Sequence, residues 1–483
     1  MMLQPLRSLV AATLLAAFAA CAVNPATGRR EFTLMSEAQE IQLGQQADAE
    51  VRREMGLYED PELQRYVSDI GMRLAKVSER PELPWSFAVV DEPAINAFAL
   101  PGGFIYLTRG ILPFLHNEAE LAGVLGHEIG HVTARHSAQR YTQVTTAGIG
   151  VTLLGIFVPE ARPFQGITET ALSVMFLKYG REDELQADRL GVAYTARTGW
   201  DPAGVGGMLS TLARLDEADG SRRGVPNWLS THPAPADRVQ QVRQHIAESD
   251  HAGGRGGTDP AQFLRRIDGL VFGDSPSQGI VRGNAFLHPE LRLGVTFPRG
   301  WEIQNTRTQV VASAPEQNNH LVLQFVPNPS GSIEQVARGT MGQAGFQHLG
   351  GERTRVNGLD AYVGTYRGQM QNLGDVGTLA AHIVHDRTVY LLAGLAPANQ
   401  FEGARQQFVA TIGSFRPLTQ EEAAGIRPNR VDIYTVRPGD TWEGIAERTG
   451  DGLIRPATLA IMNNYDPGQP PKPGARIKIV VEG

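Results

Sequence analysis

Leu121, Val124, Leu125, Ile129 and Val132 recur at intervals of three and four, the spacing that lines one face of an α-helix. No proline interrupts the chain from Asn117 to Gln143, and Asn117 followed by Glu120 reads as a capping box. The pattern predicts a largely buried helix beginning near Glu118. Just upstream, Phe98 to Leu107 is rich in β-formers on either side of Pro101-Gly102-Gly103, which reads as a short hairpin. Thr146 to Val158 is an apolar run of 13 residues, short of the roughly twenty that span a bilayer, and reads as a core or lid helix. Pro235 to His245 is an amphipathic helix, and the glycine-rich stretch after it opens a linker over 249–277.

From residue 278 to 418 the period changes. Leu293–Phe297, Leu321–Val326, Ala361–Tyr366 and Val389–Leu395 read as strands, and Ser332–Met341 and Gln400–Ile412 as helices. This predicts an α+β domain, an antiparallel sheet with helices on one face, and nothing in it points to a catalytic role. A second linker covers 419–431. Residues 432–481 then follow the order strand, helix, helix, strand, around Pro438-Gly439-Asp440-Thr441 and Asn463-Asn464-Tyr465.

The buried helix carries polar chemistry at His127-Glu128-Ile129-Gly130-His131. Residues i and i+4 share one helical face, so both imidazoles can reach one metal ion, and Glu128 stands beside them, offset from the ligand line. A catalytic zinc takes three protein ligands and keeps one position open, so a third ligand must come from elsewhere. Glu184 and Asp188 are again one turn apart. Glu184 can complete a His-His-Glu set, and Asp188 can accept the distal N–H of a ligating histidine. The same charge-rich run, Arg181 to Arg189, is equally what a solvated helix face with i,i+4 pairs would look like. His136, one turn past His131, reads as structural or surface.

These motifs, together with Ile95-Asn96-Ala97-Phe98 through Tyr106 and Leu229-Ser230-Thr231-His232-Pro233, resemble the zinc endopeptidase family of the Ste-type CAAX prenyl proteases and HtpX. The likeness spans roughly residues 30 to 245 and is strongest to the family's periplasmic, BepA-like and LoiP-like branch. It implies a mainly α, gluzincin-type metalloprotease domain over 21–248 with a small β-hairpin or sheet. One zinc per chain would be held by His127, His131 and Glu184, with Glu128 as general base and Asp188 behind a ligand. It also places the His232 loop near the cleft. His232 then either stabilises an oxyanion or reaches the metal's open position, unless it is a loop histidine bonded to backbone. Arg238 supports Glu184 or the carbonyl oxygen, or is a surface ion pair. The segment Asn96, Ala97, Phe98 and Ala99 is the candidate edge for an extended peptide, against a buried hairpin without substrate role.

Residues 432–481 resemble a LysM module, a small βααβ domain. The resemblance implies a groove for N-acetylglucosamine units, with Gly439, Asp440 and Thr441 on one wall and Asn464 and Tyr465 on the other. At the other end, Ser8 to Ala20 is an apolar signal-peptide core, and the small residues before Cys21 resemble a lipoprotein-processing site. This predicts removal of residues 1–20 and lipid on Cys21, with Ala22 resembling the outer-membrane sorting pattern. Ordinary cleavage would leave Cys21 a free thiol. It is the only cysteine, so intrachain disulfides are excluded. A net charge of −7 without a basic block argues against a nucleic-acid partner.

The sequence thus predicts a lipid-anchored envelope zinc endopeptidase acting on unfolded or misassembled envelope proteins, with a tail for peptidoglycan. Its rivals are a largely latent protease serving as an assembly factor or chaperone, and a wall hydrolase delivered by the tail.

Overall fold

The computed structural model describes residues 21–146, 178–219, 228, 231–233, 237–248, 255–315, 318–370, 373–450 and 452–483. The predicted signal segment and, beyond its first residue, the apolar run 146–158 lie outside the described residues. Two compact units emerge, one of residues 1–273 with 430–482 and one of 274–429. No described helix is long and apolar enough to cross a membrane.

In the first unit the predicted helix runs Glu118–Thr133, and nearly every residue of it is buried. Asn117 caps it by accepting from the Glu120 N–H, but Glu120 does not close the capping box. Its carboxylate accepts instead from the His116 N–H and lies 2.9 Å from the His116 ring. A second helix, Arg181–Arg197, crosses close by because the contact is lined by glycine. A Cβ on Gly130 would sit 3.0 Å from the backbone of Ala187, and one on Gly191 would sit 3.0 Å from the amide nitrogen of His127. Side chains at the crossing would hold the two backbones apart; glycines let the histidines of one helix meet the acids of the other.

The predicted hairpin is present. Ala97–Leu100 pairs antiparallel with Phe104–Thr108 across a turn in which Gly102 and Gly103 take φ of +79° and +104°, where a side chain is strained. Ser86–Val90 joins on the far side, parallel to Phe104–Thr108. Ala97–Leu100 is therefore an edge strand, paired with no second strand among the described residues.

The stretch 249–277, expected to be a linker, carries a helix, Pro260–Ile267, whose Phe263, Leu264 and Ile267 are buried in the core of this unit. Their spacing of one, three and four was a legible apolar stripe, masked by the glycines before it. The C-terminal module folds in the predicted order: Arg430–Thr435, Trp442–Thr449, Pro456–Met462, Arg476–Val481. Rather than a tail on a linker, it shares a core with the helical domain. Trp442, Leu459 and Ile461 belong to the same buried cluster as Leu121, Leu125 and Leu212. Arg214 donates to Asn464 Oδ1 at 2.8 Å, and the buried Lys478 ammonium donates to the carbonyl of Leu115 at 2.7 Å.

The second unit is built on a seven-stranded antiparallel sheet. Its strands lie in the order Gln347–Val356, Leu359–Met370, Gly374–His385, Thr388–Pro397, His320–Phe325, Gln309–Ser313, Glu302–Asn305. The predicted strands and both helices are present, but strand Leu293–Thr296 belongs to a separate four-stranded antiparallel sheet, and the helices pack on opposite faces of the seven-stranded one. On strand Gly374–His385, Leu379, Ala381 and Ile383 meet helix Phe401–Ser414, while Ala380 faces the side covered by helix Ile333–Gln343. Covered on both sides, this strand is buried almost throughout and lacks the in-out alternation that marks a strand in sequence.

Candidate metal centre

The two helices bring four donors together. His127 Nε2 and His131 Nε2 are 3.0 Å apart, and Glu184 lies 3.6 Å from the first and 3.5 Å from the second. His232 Nδ1 is 3.0 Å from Glu184 Oε1 and 3.3 Å from His127 Nε2. All four residues are buried, and one ligand atom from each lies within 4.8 Å of all the others. Donors on a tetrahedral zinc stand about 3.3 Å apart, given bond lengths of about 2.0–2.1 Å. The set fits that ion.

Protonation agrees with the fit. Burial, reinforced by the neighbouring His127, holds the His131 imidazole well below its ordinary range, and burial brings His232 down to about 3. Neutral imidazoles are what a metal requires. Burial pushes Glu184 up to about 7 against the pull of Arg238, and a metal cation beside it would favour its ionised form further.

Supporting contacts fix each ligand. His127 Nδ1 donates to Asp188 Oδ1 at 2.9 Å, the contact expected of Asp188. Burial alone would raise Asp188, but hydrogen bonds from His127 and Arg238 outweigh it and hold the acid at about 2. Arg238 is fully buried and forks between the two acids, Nη1 at 2.7 Å from Glu184 and Nη2 at 2.7 Å from Asp188. Its contact with Glu184 and its burial set it apart from an ordinary surface ion pair. His136 is buried rather than at the surface, with Nδ1 2.8 Å from Nδ1 of His131.

Glu128 stands apart from this network. It is fully buried, neither carboxylate oxygen has a hydrogen-bond partner, and burial raises it to about 7. His232 Nε2 lies 3.7 Å away. An unpartnered buried carboxylate beside four metal donors is poised to accept a proton from water at the metal.

Two aromatic residues went unassigned in the sequence. Tyr179 stacks on His131 at 3.9 Å, and Trp228 stacks on His232 at 4.7 Å with planes 15° apart. Trp228 precedes His232 by four residues, and that spacing was the available signal. The candidate substrate strand lies in this unit too, with Asn96 to Ala99 at the sheet edge but largely buried.

In the C-terminal module, Asp440 accepts from the Arg437 N–H, Tyr434 and Arg448, and Thr441 caps the following helix through the Gly444 N–H. Both side chains are used within the module. Gly439 takes φ +87°. Tyr465 packs edge-on against Trp442, and Asn464 is held by Arg214. Cys21 opens a short strand, Cys21–Val23, paired with Arg30–Phe32.

A helix bearing two histidines and a free glutamate, crossed by a second helix bearing an acid that completes the donor set, is the arrangement of the His-Glu-x-x-His metallopeptidases. Residues 61–246 match peptidase family M48, and residues 434–480 match the LysM domain. Among curated relatives, the beta-barrel assembly-enhancing protease of Escherichia coli (strain K12) is 33% identical over 261 residues, covering 50% of this chain and 53% of that protein. The mitochondrial metalloendopeptidase OMA1 of Schizosaccharomyces pombe is 31% identical over 232 residues, 47% of this chain and 66% of that one. The chain thus spans about half the length of the bacterial relative.

Proposed function

We propose that this chain is a zinc endopeptidase of the bacterial envelope that hydrolyses unfolded or misassembled envelope proteins. The observation that carries the reading is the convergence of His127, His131 and Glu184 beside the unpartnered carboxylate of Glu128. Zinc in that donor set would supply Lewis-acid chemistry, polarising both water and the scissile carbonyl. Glu128 takes the proton of the attacking water and delivers it to the leaving amine. Asp188 and Arg238 hold His127 and Glu184 in place, and the edge strand Ala97–Leu100 orients an extended peptide by backbone pairing. The envelope assignment draws on the resemblance of Ser8 to Cys21 to a lipoprotein signal segment, on the LysM match and on the assembly role in the Escherichia coli relative's name. Through its LysM domain the chain binds peptidoglycan, with the loops at Gly439-Asp440-Thr441 and Asn464-Tyr465 forming the groove.

A second reading concerns the resting state. His232 completes a four-donor set, and four protein ligands close a zinc site that three leave open. We infer that His232 holds the enzyme latent until substrate displaces it, which favours this role over the oxyanion role.

Glu128→Gln tests the mechanism. It removes the base and spares every ligand, so metal content by mass spectrometry stays at one zinc per chain while cleavage of denatured casein is lost. Full cleavage by the variant, or cleavage by the wild type after chelation, would sink the proposal.

A further inference from the structure

A cleft of about 340 Å³ lies where the C-terminal module meets the helical domain, away from the metal donors. One side is formed by His116 and Asn117, at the entry of the His-Glu helix; the other is formed by the module, including Asn464 and Tyr465. No acidic residue lines it, whereas Lys472, Arg476 and Lys478 all do.

These cations are poorly compensated. Lys478 is only 2% exposed, its ammonium has one hydrogen bond, to the Leu115 carbonyl, and no described carboxylate lies within 4.0 Å of it. Glu120, the acid that acts on it through space, is already engaged by the His116 ring at 2.9 Å. A buried ammonium facing a neutral carbonyl is a costly arrangement, and an anion in the cleft would relieve it. Asn463 locks the strand that carries Lys478, accepting from its N–H at 2.7 Å and donating to its carbonyl at 2.8 Å. Lys472 and Arg476 are exposed at the rim and have no ion pair among the described residues.

A neutral sugar needs none of this charge. We propose that the cleft binds a carboxylate carried on the wall glycan, that of a muropeptide stem, beside the sugar units held by the module. This rests on the wall-binding reading above. Asn464 and Tyr465 belong both to the cleft and to one wall of the glycan groove, so a ligand in the groove can extend its acidic substituent toward Lys472, Arg476 and Lys478. Ammonium and guanidinium groups suit that partner, and bonds between ionised groups are the strong ones.

Calorimetric titration of the full mature chain tests the idea with three probes: a muropeptide with free stem carboxylates, the same muropeptide amidated, and chitotetraose. The expected result is at least tenfold tighter binding of the free acid than of its amide. Lys472→Gln with Arg476→Gln should remove that preference, with an unchanged melting temperature showing that the fold is intact. Equal affinity for acid and amide in the wild type, or a preference that survives the double substitution, overturns the carboxylate site. If chitotetraose binds while acid and amide are equivalent, only this inference falls. If none of the three probes binds, the wall-binding reading falls and takes the inference with it.

Discussion

His232 is the residue on which the behaviour of the centre turns. Its ring is clamped by Trp228 and lies within 3.3 Å of both His127 and Glu184, while Nε2 faces Glu128. If the ring closes the site, His232→Ala should raise casein cleavage several-fold at unchanged zinc content. A fall on the order of a hundredfold in turnover would instead assign it to the oxyanion, as loss of one such donor costs. The candidate metal donors on helices were legible because their spacing is intrinsic to a helix. His127 with His131, and Glu184 with Asp188, each sit one turn apart, and Glu182, two residues from Glu184, points to solvent. Arg238, Tyr179 and Trp228 reach the centre from separate segments, and no periodicity encodes such a meeting.

At the scale of elements, the close crossing of the two ligand helices governs how well the donors converge. Gly130→Ala adds a Cβ 3.0 Å from the backbone of Ala187, which has no flexible end to yield. Overpacking of this kind costs about 1–3 kcal/mol, against a helix-propensity gain of about 1 kcal/mol, so destabilisation wins. The helices must also separate, which pulls His131 from Glu184; zinc affinity should fall along with the unfolding midpoint. Gly339→Ala is the control. Its added Cβ meets nothing within 4 Å on an exposed helix face, so it should stabilise by about 0.5–1 kcal/mol. If Gly130→Ala behaved like Gly339→Ala, the crossing would not be set by the glycine contact. The hairpin was readable from its Pro-Gly-Gly turn, whereas strand Gly374–His385 was not, because burial on both faces erases the period of two that sequence reading relies on.

For the whole molecule, the unforeseen feature is a C-terminal module built into the core of the catalytic unit. Lys478, on the module's last strand, is buried in this fold and donates to the carbonyl of Leu115 in the helical domain. Burial lowers its ammonium from an ordinary 10.5 to about 7. The unfolded chain therefore holds a proton there between about pH 7 and 10.5 that the folded chain has released. Stability should rise across that window, by at most about 1.4 kcal/mol per pH unit from this group, and the penalty is full below pH 7. Lys478→Met should then be more stable than wild type near neutral pH, with the difference shrinking as pH approaches 10.5, as read from denaturant melts across the range. A constant difference would mean that the ammonium carries no burial penalty.

Docking also changes what truncation should do. Were the module a tethered tail, deleting residues 430–483 would abolish capture by sacculi and leave the peptidase untouched. Here the deletion strips helix Pro456–Met462 from helix Ala203–Asp219 and from the turn Arg109–Phe114, against both of which it packs. It also leaves the Leu115 carbonyl and the His116 ring without their module partners Lys478 and Ile461. Each large apolar side chain returned to water costs about 1.5–3 kcal/mol, and the exposed face includes part of the core that supports the His-Glu helix. The truncated chain should melt at a markedly lower temperature and lose zinc and casein cleavage together on warming, before the full chain does. A truncated protein with the wild-type melting temperature and full peptidase activity would show that the shared core contributes nothing to the catalytic unit, returning the module to the status of a tether.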